Sequence, residues 1–311
     1  MNISLLFPET RNLRAVRELA ARTEAQGFAG MWLGSAFGFD PIMALALAAD
    51  ATSSIQLGVA VVPTWPRHPM VLAQQAATAS SACGGRFRLG IGPSHKPVMD
   101  MYGIDFDRPI SHLRDYLTVL RTLLHDGSVA HDGERYTVNT FLDVADAPPP
   151  PVLLGVLREQ MAQLAGGHAD GALCWLAPAD YLRDVVAPNL AAGASAAGRD
   201  TPPLIAELPC ALTTDRDAVH EMAARDLGIY PHVPFYRAMF EAAGVPVGRG
   251  WNDEMIDASV VYGDEDGLAA KVQALFDAGV DEVALSPFGV GADPEASQAD
   301  CIRVLSDLAR G

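Results

Sequence analysis

Eight short apolar, β-branched runs recur along the chain, each followed by a stretch with helical patterning, and this alternation constrains the fold more than any other feature. The runs are Ile3 to Phe7, Gly30 to Leu33, Gln56 to Val62, Phe87 to Gly90, Val152 to Gly155, Ala172 to Trp175, Leu204 to Ala211 and Glu282 to Ser286. Their apolar character is near-continuous rather than alternating, as strands covered on both faces of a parallel sheet require. Between them, Ile110, Leu113, Leu117, Leu120 and Leu124 repeat at spacings of three and four, which predicts a helix from Ile110 to His125 closed by Asp126-Gly127. Asp40-Pro41 and His68-Pro69 each place a proline at a first helical position, and Leu13, Val16 and Leu19 mark a first helix that stops at Gly27.

Eight βα units in 311 residues predict an α/β fold, a (β/α)8 TIM barrel spanning 1–311 as one domain, with insertions in the loops at its C-terminal face. Two Rossmann-like halves are the alternative. Against it, no composition shift or Gly/Ser linker divides the chain, and no tandem repeat is present beyond the βα alternation itself. The stiff run Asp146-Ala147-Pro148-Pro149-Pro150-Pro151 is read as closing an insertion that begins near Val129.

Composition narrows the function classes. Lys plus Arg is 22 against 38 for Asp plus Glu, a net charge of −16, so the chain lacks the broad basic face that nucleic-acid phosphates demand. No apolar run approaches the ~18 residues of a membrane span. The N-terminus has neither a basic region nor a long apolar core with a cleavage site, and a cytoplasmic protein is expected. Cys83, Cys174, Cys210 and Cys301 are scattered without metal-ligand spacing and are read as buried thiols; with no i, i+4 histidine pair either, no metal is expected. Metalloprotease, phosphate-loop and serine-hydrolase motifs are missing.

The working site of such a barrel lies just beyond the carboxyl ends of its strands. Arg67, His68, His95 and Lys96 follow two successive strands and could form one positive patch suited to an anionic ligand, although, taken alone, helix capping and solvation are the favoured account of all but His95. His95 follows a glycine-rich turn that presents its side chain to a pocket. The string Gly90-Ile91-Gly92-Pro93-Ser94-His95 fails as a dinucleotide fingerprint, because His95 replaces the third glycine and the strand is the fourth rather than the first. Phe37, Phe39, Trp65, Trp175, Tyr230, Trp251 and Phe288 lie near the same face and suit a flat heterocycle or an apolar substrate, or pack loops against the barrel.

The string Arg67-His68-Pro69-Met70-Val71-Leu72-Ala73-Gln74-Gln75-Ala76-Ala77-Thr78, followed by Gly84-Gly85-Arg86-Phe87-Arg88-Leu89-Gly90-Ile91-Gly92, resembles the bacterial luciferase-like monooxygenase superfamily. So do Met101-Tyr102-Gly103-Ile104-Asp105-Phe106, Asp132-Gly133-Glu134, Ala169-Asp170-Gly171 and Ala197-Gly198-Arg199. Within it the chain looks most like the branch that uses the deazaflavin coenzyme F-420. The resemblance implies a flavin-like ring over the barrel mouth, and a non-prolyl cis peptide supporting it at Ala60-Val61. It also implies backbone contacts to the coenzyme from Leu154-Gly155-Val156, an acid/base residue near Ser94 and His95, and a purpose for Arg67 beside the anionic tail. Many relatives carry an Asp-His pair after the second strand where this chain has Ser35-Ala36, which leaves His95, helped by Ser35, as the expected catalytic pair.

The resemblance implies hydride transfer between coenzyme F-420 and a small organic substrate bearing a C=C, C=N or alcohol/carbonyl group. Phe37, Trp65, Trp175, Tyr230 and Trp251 are the expected substrate-pocket residues. The alternatives are a two-component FMN-dependent monooxygenase, which would need a flavin reductase as partner, and a non-catalytic flavin-binding protein. A homodimer is the default for soluble homo-oligomers.

Overall fold

A computed structural model describes residues 1–8 and 12–311. Strands β1 (Ile3–Phe7), β2 (Gly30–Leu33), β3 (Gln56–Pro63) and β4 (Phe87–Gly92) are followed by an antiparallel hairpin, β5 (Ser128–Asp132) and β6 (Thr137–Phe141). Next come β7 (Val152–Gly155), β8 (Gly171–Trp175), β9 (Leu204–Leu212), the short β10 (Val261–Gly263) and β11 (Glu282–Pro287). The order β9-β11-β1-β2-β3-β4-β7-β8, closed by β8 on β9, is an eight-stranded parallel barrel, with β10 added along the end of β9. All eight expected strands form within two residues of their predicted ends. The helix Pro109–Asp126 covers the predicted 110–125, and Gly127 ends it in the left-handed conformation. Two further elements had no sequence signal in their favour. β10 is only three residues long, and the hairpin lies inside the expected insertion, whose Pro148 carbonyl accepts a bond from Ser80 Oγ at 2.6 Å.

Outward strand residues pack under the helices, while inward ones fill the bore. Leu6, Trp32, Leu153, Leu173, Ile205 and Ala284, from six different strands, form one buried cluster. Below it Arg88, Glu282 and Ser4 plug the amino-terminal end: Arg88 donates to both Glu282 oxygens at 2.6 and 3.0 Å, and Ser4 Oγ and the Trp32 indole add bonds of 2.6 and 2.9 Å. Trp32 carries the Arg88 guanidinium 4.2 Å over its ring. A ring this large fits only because the neighbouring strand offers Gly58, where a Cβ would stand 2.2 Å from Trp32 Cε3. Gly58→Ala is therefore expected to lower stability by about 2 kcal/mol or more in denaturant titration, through overpacking of the bore; a loss within about 0.5 kcal/mol would show that Trp32 can move aside.

Candidate active site

Above the plug the bore opens into a cavity of about 1150 Å³ at the carboxyl ends of the strands, room enough for a flat ring and a substrate together. Its strands end in small residues: Gly34, Gly92 and Gly155 line it, with Ala60 and Val61 between them. The Ala60-Val61 peptide is cis, at a point where the β3–β4 register shifts between Val59 and Val62. A Cβ at Gly155 would stand 3.6 Å from both Val61 methyls, so glycine there leaves the floor open.

Of the expected catalytic, cofactor-binding and substrate-pocket residues, Ser35, Phe37, Ala60, Val61, Ser94, His95, Gly155, Val156, Trp175 and Tyr230 line this cavity. Four do not. Leu154 is wholly buried in the layer beneath the helices, as strand alternation dictates for a neighbour of inward Gly155. Arg67 is held by Asp40 at 2.9 Å and by the Pro63 carbonyl. Trp65 stacks on the buried His112 ring at 3.6 Å, and Trp251 donates to the Leu227 carbonyl at 2.8 Å. Nor do the basic residues form one patch: Lys96 is tied to Asp100, and His68 Nδ1 accepts from the Met70 amide at the start of its helix. The local capping reading holds for these. The cations that do line the cavity, Arg108, Arg114 and Arg158, come from loop and helix positions that were not among the expected site residues. Arg108 pairs with Asp107 and Glu134, while Arg114 and Arg158 make no ion pair among the described residues.

The depth of the cavity is uncharged at neutral pH, and its central group is Glu207. This side chain, missed in the sequence, projects inward from β9 beside Trp175, its register partner on β8. Its residue is 4% exposed and its Oε1 has no partner. Burial first, and then the neighbouring Glu282 carboxylate, push the Glu207 carboxyl up to about 8, so it holds its proton at neutral pH. His95 also lines the depth, its ring centre 5.5 Å from that of Tyr236, with Nδ1 unpartnered; burial lowers its proton affinity and leaves the imidazole neutral. Tyr230 packs edge-on against Tyr236 at 4.7 Å, and burial raises its hydroxyl to about 12. A signal for Glu207 was present in the sequence: it is the lone carboxylate in a run otherwise apolar enough to be buried on both faces.

The chain belongs to the luciferase-like monooxygenase family, whose model matches residues 5–282. Among curated relatives, the 5,10-methylenetetrahydromethanopterin reductase of Methanolobus tindarius is 26% identical over 312 residues, covering 93% of this chain and 95% of that protein. Among solved structures, an F-420-dependent secondary alcohol dehydrogenase bound to an F-420–acetone adduct superposes with a TM-score of 0.78 at 19% identity, covering 99% of this chain and 97% of that one. The FMN-bound oxygenating constituent of 3,6-diketocamphane monooxygenase from Pseudomonas putida gives 0.76 at 17% identity, over 99% and 98%. Both structures share the barrel.

A carboxyl that binds its proton more tightly folded than unfolded loses folding free energy as pH climbs from its ordinary 4.5 to about 8, by up to about 1.4 kcal/mol per pH unit. Denaturant titrations of the ligand-free protein between pH 5 and 8.5 are expected to show this decline. Glu207→Gln should flatten it, and parallel curves for the two proteins would place the titration elsewhere.

Proposed function

We propose that the protein is an oxidoreductase that transfers a hydride between coenzyme F-420 and a small organic substrate, with Glu207 handling the accompanying proton. The observation that carries this reading is the sorting of charge along one cavity: arginines where an anionic tail would lie, and a neutral proton-bearing carboxyl at the depth. The residues fit the coenzyme. The floor formed by Ala60, Val61, Gly155 and Val156 would take its ring, and Arg114 and Arg158 its anionic phosphate and glutamyl tail. The relatives' names, which include F-420-dependent enzymes, support the same assignment.

When bound, the coenzyme supplies or accepts the hydride. The chain orients the partners, excludes water and moves the proton. In the reducing direction the Glu207 carboxyl donates its proton to the substrate heteroatom adjoining the carbon that receives the hydride, and the resulting carboxylate regains a proton from solvent. In the oxidising direction the carboxylate takes the proton from the alcohol. His95, Tyr230 and Tyr236 supply neutral hydrogen-bonding groups around that atom, with Ser35 at the cavity wall. The neutral depth favours an uncharged reacting end, since a buried charge without a counter-charge is strongly penalised.

The FMN-bound neighbour favours one second reading, a two-component monooxygenase fed by a flavin reductase. A fluorescence and thermal-shift titration separates the two, because selective binding to the native state raises apparent stability. Tighter binding of coenzyme F-420 than of FMN is expected, and the reverse order would make the monooxygenase the better account. With F-420 bound, Glu207→Gln should lower turnover by about 10²–10⁴-fold with coenzyme affinity retained. Wild-type kcat/KM for reduction should fall as pH rises through about 8, where the carboxyl ionises.

A further inference from the structure

We propose that Arg88 and Glu282, sealed beneath the cavity, are positioning residues that decide which of two carboxylates in the barrel bore carries a proton, and thereby keep Glu207 an acid. Their part in turnover rests on the hydride-transfer reading above; their effect on Glu207 does not.

The bore holds two buried carboxyl groups and one guanidinium. Both terminal nitrogens of Arg88 donate to Glu282, with side chains 13% and 5% exposed, and its position over Trp32 fixes it further. Glu282 accepts four hydrogen bonds, two from Arg88, one from Ser4 and one from Trp32. A carboxylate so furnished with donors stays ionised, and its proton affinity is accordingly lowered despite burial. Glu282 is the register partner of Ile205, and Glu207 is the next inward residue along the same strand. The two carboxyls thus lie in consecutive inward layers of neighbouring strands. One cation serves one anion; a second anion beside them has no counter-charge, so Glu207 retains its proton.

No other group facing Glu207 performs this task. Tyr230 and Tyr236, from the 230–242 segment, and the Cys174 thiol on β8 all interact with it and are neutral, held so by burial. His95, from the turn after β4, is neutral as well. Trp175 does not titrate. Among the described residues, the charged group acting on Glu207 within the bore is Glu282, whose own counter-charge is Arg88.

The test uses ligand-free protein and infrared spectroscopy of the carboxylic-acid C=O stretch, with the band identified as the one that Glu207→Gln removes. In wild type that band is expected at neutral pH. Glu282→Gln keeps the shape of the side chain and an oxygen for Ser4 and Trp32, yet leaves Arg88 uncompensated. The band should then vanish at pH 7, with the Glu207 proton affinity weakened by about tenfold or more. In the double variant Glu282→Gln/Arg88→Met both charges are gone, burial alone acts, and the band should return. A band that persists unshifted in Glu282→Gln, or that fails to return in the double variant, overturns the proposal. Should Glu282→Gln not fold, the double variant alone decides: a Glu207 midpoint below that of wild type with the band still present at pH 7 supports the proposal, because the like charge is gone, and an unchanged midpoint or a band absent at pH 7 overturns it. Because no coenzyme is present, failure to bind F-420 leaves this result intact, and failure of this result leaves the binding experiment intact.

Discussion

The filling of the barrel bore governs the rest of the structure. An eight-stranded barrel has an interior just wide enough for side chains, so whatever its inward residues leave unfilled becomes the site. Here the filling is uneven. Trp32 spreads across Gly58, the Arg88–Glu282 pair closes the amino-terminal end, and aliphatic side chains from five further strands complete the middle. At the opposite end the strands offer Gly34, Gly92 and Gly155, and the volume saved there is the cavity.

The same filling sets the chemistry. An ion pair at the closed end is removed from water, so its carboxylate has to be well supplied with donors to be tolerated, and four hydrogen bonds to Glu282 do this. Glu207 one step above lacks such donors and remains a neutral acid. Two buried glutamates on adjacent strands thus differ in their surroundings: Glu282 has a cation and hydrogen-bond donors, while Glu207 is left to burial and a like charge. Toward solvent the polarity changes again, with arginines lining the mouth of a protein whose overall charge is −16.

The strands and the barrel were legible because burial on both faces leaves a mark that local sequence carries, a continuous apolar run bounded by breakers. Likewise Asp40-Pro41 and His68-Pro69 begin helices because capping is local. The site was legible only where backbone position alone decides, as at the strand-end residues Ala60, Val61, Ser94, His95 and Gly155. Which side chains meet across strands depends on register, and register is set by the closed barrel as a whole. Arg88 and Glu282 are 194 residues apart in sequence, so neither announces the other. Trp65 and Trp251 show the converse error: an aromatic near the right face says nothing about direction, and theirs is taken by His112 and by the Leu227 carbonyl. Arg67 and Lys96 had acidic partners within reach of their own loops and helices.

The closed end has a consequence for traffic. With Trp32, Arg88 and Glu282 filling the amino-terminal end of the bore, exchange between the cavity and solvent is left to the opposite face, where the loops that follow the strands lie.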